Sequence, residues 1–474
     1  MKKNTAKTTG LAQTQRTHEG AAARQMTKIQ ELRRSVMACL LWENTFYESG
    51  EEIATRIEAL AQELPVKVVA DLAIEAREKM KLRHVPLWLV RSLAKRGGGR
   101  IVGDALYRVI QRADELTEFL ALYWKAGKMP LAAQVKKGLA RAFTKFDAYQ
   151  LAKYNRDTPV KLRDVMFLTH PKPKDAEQEK IWKQLADGTL PSPGTWENLL
   201  SAGEDKKETW TKLLSTNKLG SMALLRNLRN MLEVAVDRDL ICAALEKANF
   251  DRVLPFRFIA AATHAPVFEP ELERAMLRSV VNLPKLPGKT ALVVDHSASM
   301  VSRLSPKSDM NRFDAACGLA ILLRELCDDI VIIAFSAPGI NAAYKNYSLD
   351  RCMYNGFNCT GWPMNVNKPA IAIVPPRRGF ALRDALRAAT PWWGTHTEDG
   401  KCLADKEGYD RIIILTDEQS HQTISNPNGR GYVVNVAPYK NGIGYGKWIH
   451  IDGWSEAIAT YISEIEREFA DIQF

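Results

Sequence analysis

From Met26 to about Pro284, apolar residues recur at spacings of three and four in one segment after another, with no run alternating as a strand would. The pattern predicts helices over 29–41, 51–64, 66–80, 86–95, 101–111, 113–123 and 131–145. It predicts more over 176–186, 195–202, 206–214, 222–236, 239–248 and 269–282. Gly97, Gly98 and Gly99, and the pair Gly127 and Pro130, mark breaks between them. Roughly a dozen short amphipathic helices joined by brief turns indicate an α-solenoid or irregular helical array rather than a compact bundle.

After LPKLPG (283–288) the pattern changes. Continuous apolar runs, ALVV (291–294), DIVIIAFS (329–336), RIIILT (411–416) and GYVVNVAP (431–438), read as buried parallel strands, with WIH (448–450) inside a fifth. Helical stretches at 313–326, 381–389 and 454–469 alternate with them, so a doubly wound parallel α/β sheet is expected. Residues 337–376 give no clear pattern. The GKT at 288–290 precedes its strand and lacks the earlier glycine of a phosphate-binding loop, and NGIGYG (441–446) bridges no strand to a helix.

A chain of 474 residues exceeds one ordinary core. No run of about 18 apolar residues is present, so no membrane span is expected. The seven scattered cysteines, without C-x-x-C spacing, point to a reducing, cytoplasmic setting. Charge adds the most. Residues 1–289 carry a formal +14 and residues 290–474 carry −3, so the helical part is where an anionic partner, nucleic acid first, would bind. Basic residues there cluster and interleave with Tyr154, Phe167 and His170, as phosphate contacts with base stacking require. A solvated helix face is the ordinary explanation for any one of them, and a structural role for a lone histidine.

The candidate chemistry of the second part lies at strand ends. Asp295, Ser297 and Ser299 follow the first strand, Thr395 sits in a turn before a helix, and Asp417 ends the 411–416 strand. An isolated D-x-S-x-S turn would equally suit a cap for the following helix. In a parallel sheet, however, these strand ends converge on one rim. Two carboxylates with hydroxyls suit a hard divalent cation, Mg²⁺ first and Mn²⁺ second, over zinc. With no second acid cluster or base beside them, metal-assisted hydrolysis is not expected, and no residue is assigned as catalytic.

Together, DHSAS (295–299), GTHT (394–397) and LTD (415–417) resemble the metal-ion-dependent adhesion site of the von Willebrand factor A domain. In that family the ion keeps a coordination position open for a partner's carboxylate. A basic helical region followed by such a domain resembles the Ro ribonucleoprotein autoantigen family, the TROVE-module proteins. KYNR (153–156), LRDVMFLTHPKP (162–173), ALLRNL (223–228) and IDGWS (451–455) carry that resemblance. It implies a multidomain chain: a basic disordered tail (1–25), a HEAT-like helical solenoid closed into a ring (26–284), and an A-like domain (285–474). It also implies Y RNA-like non-coding RNA on the ring's outside and single-stranded ends of misfolded RNA in its hole, in RNA quality control. By motif, Lys153 and His170 are the expected RNA contacts, joined by Arg156 beside them, by Arg100, and by Lys136 or Lys137. A cytoplasmic monomer without catalysis is expected, with an exoribonuclease or another protein as the partner of the metal site. The competing reading is a metal-dependent protein-interaction module whose basic helices dock an acidic protein.

Overall fold

The computed structural model describes residues 16–466 except 18–19, 24–25, 38–47, 192–195, 202–204, 305–307, 338–367 and 454–457, and the single positions 81, 218, 252, 254, 393, 438, 440, 445, 460 and 464. Most of the basic tail, the 337–376 insertion and the closing helix therefore fall outside the described residues.

The chain opens with α1 (Lys28–Met37), α2 (Gly50–Glu63), α3 (Val66–Glu78), α4 (His84–Lys95), α5 (Arg100–Val109), α6 (Asp114–Tyr123), α7 (Ala133–Phe143), α8 (Ala148–Tyr154), α9 (Leu162–Thr169) and α10 (Ala176–Asp187). It continues through α11 (Trp196–Ser201), α12 (Lys206–Ser215), α13 (Ser221–Glu233), α14 (Arg238–Lys247), α15 (Pro255–His264) and α16 (Glu269–Val280). Through much of the array a helix packs on the one two places along: α2 on α4, α3 on α5, α4 on α6, α5 on α7, α7 on α9, α12 on α14 and α14 on α16. That is the two-layer stacking of a solenoid. Gly103 and Gly138 allow the closest of these approaches, since a Cβ at Gly138 would press into the Gly103 backbone.

Then come β1 (Leu286–Asp295), α17 (Arg312–Leu326), β2 (Cys327–Phe335), β3 (Ile371–Val374), α18 (Gly379–Arg387), α19 (Thr397–Lys406), β4 (Arg411–Thr416), β5 (Arg430–Asn435) and β6 (Trp448–Asp452). The sheet order is β3-β2-β1-β4-β5-β6. All neighbours are parallel except β3, which runs antiparallel to β2 at the edge. Only four residues long and stopped by Pro375 and Pro376, β3 is too short for periodicity to reveal.

The apolar interior divides within the helices. Leu32 to Leu185 form one core. Trp210 to Val280 share another with one sheet face, through Phe313, Leu323 and Val434 among others. The opposite sheet face, with Val293, Ile414 and Val433, packs its own cluster. α15 was absent from the periodicity because PFRFIAAATH is apolar on most of its circumference. Six of its ten residues are buried against α13, α16 and α17, and its exposed polar side is narrow, with Arg257, Thr263 and His264. At the other end of the chain α1 packs on β6, so the helical array returns to the sheet and closes on it.

Candidate functional site

β1 and β4 are neighbours, with Val294 opposite Leu415, so Asp295 and Asp417 emerge side by side at the carboxyl rim. Thr416 Oγ1 donates to Asp295 Oδ2 at 2.6 Å and the Ser297 amide donates to Asp295 Oδ1 at 2.7 Å. Ser297 Oγ lies 3.0 Å from Ser299 Oγ. Thr395 reaches the same rim because its loop is pinned on both sides. The Ala337 amide, past β2, donates to Gly394 O, and the His421 amide, past β4, donates to Thr395 O. Asp295 and Asp417 are wholly buried, Ser297 and Thr395 nearly so, and Ser299 is half-buried, facing out. All five metal candidates thus share one rim.

Burial, and then the neighbouring Asp417 charge, push the Asp295 carboxyl up to about 7. Two carboxylates sunk together with three hydroxyls form an all-oxygen donor set, which fits a hard divalent cation. Three further residues border the site. Arg312 Nη1 donates to Asp417 Oδ2 at 3.0 Å from the first turn of α17. A cation there opposes the helix dipole, so it needs an acid to hold it; that oddity was its signal in the sequence. Thr397 Oγ1 is buried with no hydrogen-bond partner among the described residues. His296 is stacked on Trp392 with ring centroids 4.6 Å apart, and burial lowers its pKa to about 3, so it is a neutral packing group beneath the rim.

Glu418, next to Asp417, has left-handed backbone (φ 60) and a fully buried side chain. It pairs with Arg34 of α1 at 3.1 Å and with His450 of β6 at 2.9 Å, while His450 Nε2 meets Asp452 Oδ1 at 2.7 Å. Arg34 Nε also donates to Tyr439 O. Burial opposes the Glu418 charge, but Arg34 and His450 outweigh it and hold the carboxyl down at about 2. The glycines of NGIGYG now have a physical reason. A Cβ at Gly442 would strike Arg34 and Glu418, one at Gly444 would strike His450, and the Gly444 amide donates to Glu418 Oε2 at 2.8 Å. Thr17 is anchored nearby, donating to Ser420 O at 2.7 Å.

The basic residues of the helical part sort into two kinds. Arg91 is buried on Glu58 and the Trp88 ring, and Arg96 donates to the carbonyls of Ala61, Gln62 and Leu64. Lys145 donates to the Tyr107 and Ile110 carbonyls, and burial lowers its pKa to about 8. These join one helix to the next. By contrast Arg100, Lys136, Lys137, Arg156 and His170 are exposed and Lys153 is half-buried. Among the described residues none of the six is in an ion pair. Lys153 Nζ stands 5.9 Å from the ring centres of both Tyr149 and Tyr154, and Arg156 lies 6.0 Å from Tyr154. Among the described residues no helix is long and apolar enough to cross a membrane.

Residues 186–310 match the family model of the TROVE domain. Over that stretch, about a quarter of its length, the chain resembles the TROVE domain. The match spans α11 to α16, β1 and the loop with Asp295, Ser297 and Ser299, so the TROVE stretch itself includes the first wall of the rim. Thr395, Asp417 and the six cations lie outside that TROVE match. The chain is also similar to mouse (Mus musculus) telomerase protein component 1, with 34% identity over 89 residues, 18% of this chain. It spans 3% of the length of that protein. Among solved structures it resembles the Deinococcus radiodurans Ro (Rsr) protein, with a TM-score of 0.55 at 18% identity, over 91% of this chain and 99% of that one. That likeness covers both the helical array and the sheet, so the overall fold of this chain is that of the Deinococcus protein.

Proposed function

We propose that this protein is an RNA-binding scaffold. In this reading it binds small structured Y RNA-like RNA on the outside of the helical ring and single-stranded ends of misfolded RNA in its hole, for quality control or processing. The observation that carries it is the sorting of the cations: among the described residues Arg100, Lys136, Lys137, Lys153, Arg156 and His170 are in no ion pair, and Lys153 and Arg156 stand near the Tyr149 and Tyr154 rings, whereas Arg91, Arg96 and Lys145 are consumed internally. The resemblance to the TROVE domain and a fold shared with a Ro protein support the same reading. Phosphate contacts would release counterions, so binding should weaken steeply with salt.

The divalent site belongs to partner docking. Asp295, Ser297, Ser299, Thr395 and Asp417 would hold Mg²⁺, which would offer an open position to a carboxylate from an exoribonuclease or another protein. The protein would act as a cytoplasmic monomer and leave its RNA chemically intact. Filter binding of purified protein to a structured RNA with a single-stranded tail, across a salt series, tests the RNA reading. Retention at low salt with a steep slope is expected; no retention sinks it. Partner capture lost in Asp295→Ala, without RNA affinity in the parent, would establish the interaction module instead.

A further inference from the structure

α9 buries Leu162, Val165 and Thr169 against the array and turns the opposite face outward. On that face stand Arg163, Phe167 and His170, at positions i, i+4 and i+7, all exposed. Phe167 is 56% exposed, which for an aromatic ring is unexpected on a helix that has an apolar side to join. Its ring contacts no other aromatic or cation among the described residues. His170 is placed by the end of the helix: its backbone is left-handed (φ 48) and its amide donates to Met166 O at 2.9 Å. Lys172 and Lys174 follow, both exposed. Among the described residues none of these four basic side chains is in an ion pair. The acid on the helix, Asp164, is turned away to its own start, accepting from the Lys161 amide at 2.8 Å.

We infer that Phe167 is a stacking platform for an unpaired RNA base, with Arg163 on one side and His170 and Lys172 on the other taking the adjoining phosphates. This rests on the RNA reading above and adds what the face selects. A duplex hides the flat faces of its bases in the stack and shows only edges and backbone, so a ring standing on a convex helix can meet the face of an unpaired base alone. Cations by themselves do not distinguish single strands from duplexes; the ring does. The positive charge around it, in no ion pair among the described residues, favours a phosphate backbone over an apolar protein segment.

The test uses the full chain with a labelled unstructured oligoribonucleotide and a blunt duplex of the same length. One stacked base is worth on the order of tenfold in affinity. Phe167→Ala should weaken the single strand about tenfold, leave the duplex unchanged and keep the same salt slope, because no phosphate contact is removed. Phe167→Trp should restore binding. Being exposed, the position carries little folding risk, and unchanged thermal melting of both variants checks this. Equal single-strand affinity in Phe167→Ala, or equal losses for both RNAs, overturns the platform while leaving RNA binding intact. If the parent protein retains neither RNA, the RNA reading and the platform fall together.

Discussion

Arg312 Nη1 lies 3.0 Å from Asp417 Oδ2, and both side chains are closed off from solvent. The guanidinium thus supplies, from within the chain, part of the positive charge that two buried carboxylates demand. Removing it would take the paired guanidinium from a fully buried carboxylate, a change that costs about 3–5 kcal/mol. Arg312→Met is therefore expected to unfold at lower urea without divalent cation and to gain more from added Mg²⁺ than the parent does. Denaturation curves of both proteins with and without Mg²⁺ decide it. An equal response in the two would show that Arg312 and a cation do not act on the same charge.

Asp295 gives a prediction of opposite sign. Its carboxyl is raised from 3.8 to about 7, first by burial and then by Asp417, so the folded protein holds a proton that the unfolded chain has lost. With no cation, stability should fall as pH rises from about 4 through 7, on the order of 1.4 kcal/mol per pH unit at most. Asp295→Asn should flatten that fall and abolish the heat of Mg²⁺ binding in calorimetry. A variant that binds Mg²⁺ as the parent does would remove Asp295 from the ligand set.

Arg34 and Glu418 are 384 residues apart in sequence and wholly buried against each other. The pair ties the first helix to the loop that carries Asp417, with His450 as the third member. His450 is buried, which disfavours its charge, but Asp452 and Glu418 prevail and raise it from 6.5 to about 9. A raised histidine stabilises fully below its unfolded value and loses that contribution as pH climbs through the folded one. About 3 kcal/mol should therefore disappear between pH 6.5 and 9. His450→Gln should lack this decline in urea denaturation. Arg34→Ala should cost about 3–5 kcal/mol at any pH above the Glu418 pKa and expose α1 to limited proteolysis. Survival of α1 under protease would show that the latch is not what holds it.

What was legible in the chain follows from the range of the forces involved. Asp295 and Asp417 could be read because a strand end is local and parallel strands share a rim. The helices of the array showed because each buries one face. α15 did not, its exposed polar side being only Arg257, Thr263 and His264, nor did α8, and α9 passed as a motif without its helix, because seven and eight residues make barely two turns. Glu418, Arg34 and His450 were invisible as a group, since no local pattern announces a pairing across most of the chain. NGIGYG was not read as a nucleotide loop, and its place in the structure appears only with Arg34, Glu418 and His450 beneath it. Arg96 and Arg100 look alike in sequence; only packing shows that the first is spent on helix carbonyls and the second is exposed.

That last distinction can be tested on the RNA side. Lys136 and Lys137 are exposed on α7 and unpaired among the described residues, whereas Arg108 of α5 is held by Glu78 through both guanidinium and carboxylate. A lysine that neutralises a phosphate contributes about 0.7–0.9 to the slope of log affinity against log salt. Replacing both Lys136 and Lys137 with alanine should lower the slope by about 1.5 and weaken binding most at low salt. Arg108→Gln removes as much charge as either single lysine change, yet its charge is already met by Glu78, so its slope should stay within error of the parent. Fluorescence anisotropy across a salt series measures all three. If Arg108→Gln changes the slope as much as a lysine does, the RNA responds to net charge alone, and the sorting of free from paired cations carries no information about where it binds.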